Sequence, residues 1–303
     1  MLQFKTITLC DKEWVDKIVF SEDSPSADYN FGNIYIWDKS FRQLVCPFEG
    51  RMMTKLRYEG HPSFAFPIGS GPLRPAIEAL REFAAFKGYP FRLHGVTDKH
   101  RAQLEEEYPG GFEFTEDTDY ADYIYSAEKL ATYAGKALHG KKNHCNRFEA
   151  EHEWRFVPLD RALIPGCLDM LDVWTEENAE RLEASISAEH DAIIRAFAAY
   201  ERLGLEGGVL LSEGKILGFT VGEMISSDTF DVHFEKAEGS INGAYPMVCR
   251  ELARMMLAKH PNLRYLNRED DMGLEALRFS KQSYKPEYLL KKYTALWTGR
   301  ADA

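Results

Sequence analysis

The order of helical and strand-like patterns in the second half of the chain is the feature that most limits how this sequence can fold. Apolar and polar residues alternate over 208–212 and 216–224, on either side of a Glu-Gly-Lys turn, which predicts an antiparallel hairpin. Helical patterns over 165–180 and 187–203 precede the hairpin, and a strand pattern over 229–235 follows it. A loop of small residues, a helix, a short strand and a last helix over 274–282 complete an α+β order.

The first half of the chain has a similar mixture of short strands and helices. Strand patterns over 33–37, 42–46, 51–56 and 91–96 surround a helix over 73–87, whose apolar residues recur at helical spacing. Gly88 is placed to end that helix. We expect a strand over 121–125 to complete this first α+β unit.

The length of the chain favours two domains. Its 303 residues, 45% of them hydrophobic, exceed what one hydrophobic core usually fills. We predict an N-terminal domain over 1–125, a basic connecting helix over 126–150 and a C-terminal domain over 151–303. The predicted fold class is α+β, with mixed, mainly antiparallel sheets flanked by helices.

Cysteine usage and hydropathy indicate the cellular setting. The chain has five cysteines, an odd number, widely spaced and without a CxxC pair, which disfavours a disulfide framework and a cysteine zinc site. The histidines show neither HxxxH nor HExxH spacing, so no metal site is expected. No apolar run reaches the roughly 18 residues of a membrane span, and the start of the chain lacks a signal-peptide pattern. The sequence therefore predicts a cytoplasmic protein.

A basic stretch lies near the middle of an acidic chain. From Lys129 to Phe148 there are five Lys and Arg residues and no Asp or Glu, whereas the whole chain has a net charge of −11. Such a cationic island attracts a local anion, while the acidic body, with a pI of about 5.4, argues against general nucleic-acid binding. Helical spacing suggests phosphate-binding side chains, although a solvated linking helix would show the same pattern. The predicted phosphate ligands are Lys136, His139, Lys142 and Arg147.

Three segments give the chain a family resemblance: DYIYSAEKLATYAGKALHGKKNHCNRF at 122–148, NREDDMGLEALRFSKQSYKP at 267–286, and LLKKY at 289–293. Together they resemble the bacterial family, uncharacterised in function, that shares the C-terminal domain of phosphatidylglycerol lysyltransferase. The likeness covers nearly the whole chain. It implies two tandem GNAT-like (acyl-CoA N-acyltransferase) domains, as in the Fem aminoacyltransferases, and aminoacyl-tRNA as the donor. The lysyltransferase also has an integral-membrane domain, which this sequence lacks, so we expect an acceptor other than a lipid.

The loop at 238–244 bears on the donor. GNAT enzymes that use acetyl-CoA typically carry Gln/Arg-x-x-Gly-x-Gly/Ala, whereas this loop reads EGSINGA and keeps only the final Gly-Ala and a displaced glycine. Glu235 and Glu238 would weaken phosphate binding there. Acetyl-CoA is therefore a less favoured donor than aminoacyl-tRNA. Backbone N–H groups at Asn242 and Gly243, at the start of the predicted helix, are still expected to hold phosphate.

Polar residues follow the last predicted strand of the second half. Asn267, Arg268, Glu269 and Asp271 stand between that strand and a helix, where side chains converge on clefts in open α/β sheets. Arg268 would clamp a phosphate or carboxylate, and the acidic residues with Asn267 would receive the aminoacyl group. Glu269 is also a candidate for catalysis. A solvated acidic turn that caps the helix would give the same pattern.

Three further residues complete the predicted site. His233 and Glu235 should share one face of their strand, because strand side chains repeat with a period of two. They would line the substrate site, unless they are simply hydrogen-bonded within the sheet. Tyr284 lies where GNAT enzymes often place the tyrosine that protonates the leaving group, so the resemblance implies a catalytic role; the alternative is a packed tyrosine.

The leading hypothesis is a transferase that moves an amino acid from aminoacyl-tRNA to an amine or hydroxyl of a small molecule or peptide. The acceptor end of tRNA would be its nucleic-acid partner. One alternative is an acyl-CoA-dependent N-acyltransferase that uses the loop at 238–244. The other is a non-catalytic protein of the same fold that binds a small ligand.

Overall fold

The computed structural model describes residues 2–58, 60–178 and 183–299, and these form two compact units. Unit 1 comprises the described residues of Met1–Asp122, Asp270–Gly273 and Leu290–Ala303, and unit 2 comprises those of Tyr123–Glu269 and Leu274–Leu289. Residues 179 and 180, predicted to end a helix, lie outside the described residues. Residues 1, 59, 181–182 and 300–303 of the predicted domains lie outside them too. The domain limits 1–125, 126–150 and 151–303 stay a prediction.

The described residues form two sheets. The strands, in chain order, are β1 Lys5–Thr6, β2 Leu44–Phe48, β3 Arg51–Tyr58, β4 His61–Ala65, β5 Ile68–Gly69, β6 Arg92–Val96, β7 Phe112–Glu116, β8 Asp122–Ser126, β9 Trp154–Pro158, β10 Glu206–Ser212, β11 Lys215–Met224, β12 Thr229–Ala237, β13 Tyr265–Asn267, β14 Tyr288–Leu290 and β15 Tyr293–Trp297.

The helices cover the faces of these sheets. In chain order they are α1 Lys12–Glu22, α2 Phe31–Ile36, α3 Asp38–Phe41, α4 Leu73–Lys87, α5 Asp98–Glu107, α6 Ala127–Thr132, α7 His139–Glu151, α8 Ile164–Asn178, α9 Glu183–Ala198, α10 Tyr200–Leu203, α11 Ala244–Lys259 and α12 Glu275–Ser283. Within the ranges that the structure describes, none of them combines the length and the apolar character needed to cross a membrane.

Each sheet is mixed and mainly antiparallel. Unit 1 has the strand order β1-β2-β3-β4-β6-β15-β7, with β5 paired to β3. Unit 2 has the order β14-β8-β13-β12-β11-β10-β9. Strand β4 is parallel to β6, and β12 is parallel to β13. Each sheet thus contains a parallel pair among antiparallel neighbours, in agreement with the predicted mixed, mainly antiparallel class.

Two predictions about the first half are wrong. Residues 33–36, predicted with Trp37 as a strand, lie in α2, because the Asn30 side chain accepts a hydrogen bond from Asn33 N at 2.6 Å and caps that helix. Trp37 is the C-cap residue. The apolar residues of α2 then face the core at helical spacing. The strand predicted to complete the first unit, now β8, instead pairs with β13 in the second sheet. The end of the chain, β15, takes a place in the first sheet.

The core of unit 2 forms around α11. This helix packs against the sheet and against α6 and α7, and its buried residues include Met247 and Val248. Cys145 and Phe148 of α7 belong to the same buried cluster. The apolar side of the basic stretch is therefore part of the core of unit 2.

A buried lysine joins distant segments of unit 1. Lys292 is 2% exposed, and its Nζ lies 2.8 Å from Asp28 Oδ1 and 2.7 Å from Asp122 Oδ1. The other carboxylate oxygen of Asp122 accepts a hydrogen bond from Ala27 N at 3.1 Å. Burial alone would lower the pKa of Lys292, but Asp122 and Asp28 raise it well above its ordinary value, so the ammonium stays charged.

A second buried charge in unit 1 predicts how stability responds to acid. Burial alone would raise the pKa of Glu22, yet hydrogen bonds from His100, Lys99 and Gly69 N lower it from 4.5 to about 2. A carboxylate whose pKa is lowered in the folded state stabilises it above the unfolded pKa, and this contribution disappears as pH falls from 4.5 to about 2.

We therefore expect Glu22→Gln to flatten the pH dependence of the unfolding free energy between pH 4.5 and 2. Urea unfolding curves collected across this range measure it. Glu105→Gln, which alters an exposed carboxylate on α5, is the control and should keep the wild-type slope. Equal slopes for all three proteins would contradict the assignment.

Candidate functional site

The parallel strands β12 and β13 part soon after they meet. Their described register runs from Thr229↔Tyr265 to Asp231↔Asn267. Arg268 N then donates a hydrogen bond to Tyr123 O of β8 at 3.0 Å. The chain leaving β13 thus turns toward β8, while β12 continues to Ala237 beside β11. Side chains of Arg268 and its neighbours are presented where the two strands separate.

A β-bulge in β12 lies next to this point. Val221 of β11 pairs with Phe234, but the next residue, Gly222, pairs with Val232. His233 is therefore the extra residue of the bulge. Such an insertion bends the strand and changes which face its later side chains occupy.

The bulge places the two predicted site residues of β12 on opposite faces. Glu235 pairs with Thr220, whereas Asp231 pairs with Glu223. Thr220 and Glu223 are three residues apart on β11 and so point to opposite sides. His233 contacts Asp231 and Glu223. The prediction that His233 and Glu235 share one face is wrong, because it assumed an uninterrupted period of two.

On the α11 face, four side chains form what we call the Arg268 cluster: Arg268, Glu235, Lys141 and Tyr284. Arg268 Nη2 lies 2.7 Å from Glu235 Oε1. The guanidinium carbon lies 4.6 Å from the centroid of the Tyr284 ring, and Lys141 Nζ lies 3.7 Å from it. Both cations thus rest on one buried aromatic ring.

The pKa values of three ionisable side chains in the Arg268 cluster are shifted from their ordinary values. Burial alone would lower the pKa of Arg268, but the Glu235 carboxylate raises it well above its ordinary value. Burial, and then the nearby Arg268, lower the pKa of Lys141. Burial raises the pKa of Glu235 despite the attraction of Arg268 and Lys141. Two cations facing one carboxylate leave an excess of positive charge for an additional anion or a developing oxyanion.

One donor of this cluster points to a ligand. Arg268 Nη1 is buried, and none of the residues in the described ranges accepts a hydrogen bond from it. A buried unsatisfied donor costs roughly 1–3 kcal/mol, more when charged, so natural proteins rarely keep one without a reason. An oxygen atom of a carboxylate, phosphate or carbonyl group would satisfy this N–H.

The backbone beneath the cluster is held in place. Lys281 Nζ donates to Arg268 O at 2.5 Å, and Tyr125 OH donates to Lys281 O at 2.8 Å. The Tyr125 ring also lies 5.6 Å from the Arg268 guanidinium carbon. The guanidinium is thus positioned before any ligand arrives, which is what electrostatic catalysis requires.

On the opposite face, four side chains form what we call the His233 cluster: His233, Glu223, Asp231 and Glu269. His233 Nε2 lies 3.1 Å from Glu223 Oε1, and Nδ1 lies 3.3 Å from both Asp231 Oδ2 and Glu269 Oε1. Burial alone would lower the pKa of His233, but Asp231, Glu223 and Glu269 raise it well above its ordinary value.

Asn267 positions Glu269, one member of the His233 cluster. Its Oδ1 accepts a hydrogen bond from Glu269 N at 2.7 Å, and Glu269 has a left-handed backbone with φ of 54°. A non-glycine residue in that conformation is uncommon and must be held by its surroundings. Asn267 itself is fully buried. Its predicted substrate contact stays a prediction, and its observed role is to position Glu269.

The basic stretch is not the single helix predicted over 126–150. Tyr133 and Gly135 have positive φ values of 46° and 90°, which end α6 and separate it from α7. The predicted phosphate ligands Lys136, His139 and Lys142 are exposed, and Arg147 is exposed and pairs with Glu151. Their phosphate-binding role stays a prediction.

The start of α11 lies against α7. Gly243 has φ of 94°, and a Cβ added there would come within 2.6 Å of His144 O. Asn242 Oδ1 lies 2.7 Å from His144 Nδ1. Close packing and backbone conformation thus account for Gly243, and phosphate binding by Asn242 and Gly243 stays a prediction.

Asp271 belongs to unit 1, where it is buried and its Oδ1 accepts a hydrogen bond from Gly273 N at 2.9 Å. Its substrate-binding role stays a prediction. The sequence analysis missed Lys141 and Asp231. An Asp-x-His pattern on a strand could have drawn attention to Asp231, but only the break before α7 shows that Lys141 faces the cluster.

Adjacent lysines on α7 provide a matched test of this geometry. Lys141 faces the Tyr284 ring, whereas Lys142 is exposed. We expect Lys141→Ala to weaken binding of an anionic ligand by roughly 10–100-fold, because a charge-assisted hydrogen bond is worth about 1.5–3 kcal/mol. Lys142→Ala, which removes an exposed cation, should weaken binding less than Lys141→Ala. Isothermal titration calorimetry, with an anionic ligand that binds the wild-type protein, measures the affinity of both variants. Equal losses of affinity in the two variants would contradict the geometry.

Comparison with protein families gives a match over most of the chain. The profile described as phosphatidylglycerol lysyltransferase, C-terminal, matches residues 22–296. An uncharacterized protein of Mycoplasmoides gallisepticum is 25% identical over 177 residues, which are 57% of this chain and 54% of that protein. The chain thus spans about half the length of the curated relative it matches.

Solved structures resemble the chain over nearly its full length. A conserved protein of unknown function from Bacteroides thetaiotaomicron is 36% identical with a TM-score of 0.92, covering 98% of this chain and 100% of that one. L-PGS from Bacillus licheniformis is 17% identical with a TM-score of 0.60, covering 94% and 91%. FemX is 11% identical with a TM-score of 0.63, covering 97% of each chain. The likeness to the last two concerns the fold, and it confirms the predicted tandem GNAT-like class.

Proposed function

The chain belongs to the family of the phosphatidylglycerol lysyltransferase C-terminal domain, a family of acyl- and aminoacyltransferases. From this premise we propose that the protein moves an amino acid from aminoacyl-tRNA to an amine or hydroxyl acceptor. The observation that carries the proposal is the buried Arg268 Nη1, an unsatisfied donor beside a second, desolvated cation. L-PGS and FemX, whose folds are similar, support a transfer reaction by analogy.

In this reaction the acceptor nitrogen or oxygen forms a bond to the aminoacyl carbonyl carbon. The carbonyl oxygen becomes an oxyanion, the ester bond to the terminal ribose then breaks, and the ribose oxygen leaves with a proton that the acceptor has lost. Negative charge therefore develops on the carbonyl oxygen, and an N–H group aimed at that oxygen lowers the barrier. We assign Arg268 Nη1 to this task.

The other members of the Arg268 cluster have supporting roles. Glu235 holds the opposite edge of the guanidinium at 2.7 Å and fixes its plane. Lys141 adds positive charge on the same ring and would contact either the oxyanion or a phosphate of the donor. Tyr284 carries both cations on its ring, and its predicted role as a proton donor is retained as part of the proposal. The predicted catalytic role of Glu269 is retained as a prediction on the opposite face.

An aminoacyl-tRNA transfer assay tests this function. Total tRNA charged with single radiolabelled amino acids is incubated with the protein and a mixture of amine and hydroxyl acceptors, and the label that leaves the tRNA and enters an acceptor is measured. We expect transfer with a subset of amino acids. Acceptor-dependent consumption of acetyl-CoA, with no loss of label from any charged tRNA, would contradict the proposal and favour the acyl-CoA alternative.

A further inference from the structure

The His233 cluster brings three different side chains with metal-binding atoms to one point. Asp231 and His233 project from β12, and Glu269 follows β13. One ligand atom from each lies within 4.8 Å of the other two. Asp231 and His233 are buried, and Glu269 is 22% exposed at its side chain, which leaves one side of the group open to an entering ion.

The spacing of these atoms suits a shared cation. A single N–H on Nδ1 points in one direction, yet Asp231 Oδ2 and Glu269 Oε1 lie at the same 3.3 Å from it. Charge-assisted N–H···O bonds are usually about 2.7–2.9 Å long. Ligand atoms about 2.0–2.2 Å from a tetrahedral Zn²⁺ are roughly 3.3–3.6 Å apart, which matches the two separations from His233 Nδ1.

The surroundings prepare His233 as a ligand. Glu223 Oε1 lies 3.1 Å from Nε2, so a ring that loses one proton on metal binding would keep the other on Nε2, donate it to Glu223, and present the Nδ1 lone pair to the ion. A carboxylate behind the ring is the usual partner of a metal-binding histidine. Asn267 fixes the left-handed residue that carries the third ligand, Glu269.

The charges of the His233 cluster give an independent reason to expect a divalent cation. The cluster brings three carboxylates next to one imidazole, and a protonated imidazole supplies a single positive charge to them. A divalent ion with a neutral imidazole supplies twice the positive charge at the same place. A cation at this place lowers the free-energy cost of burying carboxylates.

We propose that the His233 cluster is a divalent metal site in which His233 Nδ1, Asp231 Oδ2 and Glu269 Oε1 bind Zn²⁺, and Mn²⁺ more weakly, with Glu223 orienting the ring. The preference follows from the mixed nitrogen and oxygen ligands and the usual order of divalent affinities. The ion would tie β12 to the residue two positions beyond β13, on the sheet face opposite Glu235. The inference does not depend on the proposed transfer reaction.

Metal binding by the full chain tests the site. The protein is treated with a chelator, dialysed, and titrated with Zn²⁺ alone in a calorimeter. The zinc bound after the titration is measured by inductively coupled plasma mass spectrometry. We expect one equivalent of zinc in the wild type and an increase in melting temperature with added Zn²⁺. Absence of stoichiometric zinc in the folded wild type would overturn the proposal and assign the cluster to a buried imidazolium.

Variants locate the ion. His233→Gln and Asp231→Asn should lose the bound equivalent, and Glu223→Gln should weaken binding by roughly 10–100-fold through the ring orientation. His190→Gln is the matched control, because His190 Nε2 lies 2.9 Å from Asp172 Oδ1 in a surface pair of the same unit. It should keep full binding. If His190→Gln removes the zinc, or if folded Glu223→Gln binds as tightly as the wild type, the assigned site is wrong.

Discussion

Replacing Arg268 by lysine is expected to lower the rate of aminoacyl transfer by roughly 10²–10³-fold, the usual cost of removing one oxyanion donor. Lysine keeps the positive charge but not the planar fork, so it cannot hold Glu235 on one edge and present an N–H to the carbonyl oxygen from the other. Because the oxyanion exists only in the transition state, the loss should fall on kcat more than on KM.

Arg254→Lys is the matched control for this experiment. Arg254 lies on α11 in the same unit, and its side chain is 47% exposed, so its replacement should leave the transfer rate close to that of the wild type. Single-turnover transfer with a saturating charged tRNA measures both variants. A wild-type rate for Arg268→Lys, in a protein with an unchanged circular dichroism spectrum, would remove Arg268 from the proposed chemistry.

Lys292→Met is expected to destabilise unit 1 by roughly 3–5 kcal/mol, because breaking one side of a buried ion pair leaves its partner charge without compensation. Asp122 is fully buried and would lose the ammonium that lies 2.7 Å from its Oδ1. Methionine fills most of the space of the lysine stem, so the loss reports the charge more than a cavity. Urea unfolding followed by tryptophan fluorescence measures the change.

The neighbouring lysine provides the control. Lys291 is exposed and pairs with Glu116 at 3.0 Å, so Lys291→Met should change the unfolding curve little. A double variant in which Lys292→Met is combined with Asp122→Asn should recover part of the lost stability, because the uncompensated carboxylate is removed. Equal curves for Lys292→Met and wild type would show that the buried pair is not needed for stability.

Local patterns were enough to predict much of the fold. The helix over 73–87 is observed as α4 with the same bounds, because its apolar residues recur at helical spacing and Gly88 adopts a left-handed φ of 74°. The hairpin over 208–224 is observed as β10 and β11. These elements depend on interactions between residues close in sequence, which a pattern can show.

Long-range interactions account for what the sequence analysis missed. The return of β15 to the first sheet depends on partners that are distant in sequence, such as Leu93, which lies opposite Ala295 and 202 residues before it. The bulge at His233 depends on the register with β11, and it moves one predicted site residue to the other face of the sheet. The break before α7 changes the helical phase, so that Lys141 and not Lys142 contacts the Tyr284 ring. A shift of one residue in strand register moves the side chains that follow to the other face of the sheet, and the hydrophobic pattern of the sequence does not show where such a shift occurs.

A crystal structure of the protein with a stable amide-linked analogue of an aminoacyl-adenosine is the most direct test of the central claim. We predict that the analogue binds on the α11 face of unit 2, with its carbonyl oxygen within hydrogen-bonding distance of Arg268 Nη1 and with Lys141 beside it. The guanidinium should keep its contact with Glu235. An analogue bound at full occupancy elsewhere on the protein, with Arg268 Nη1 still without an acceptor, would contradict the account.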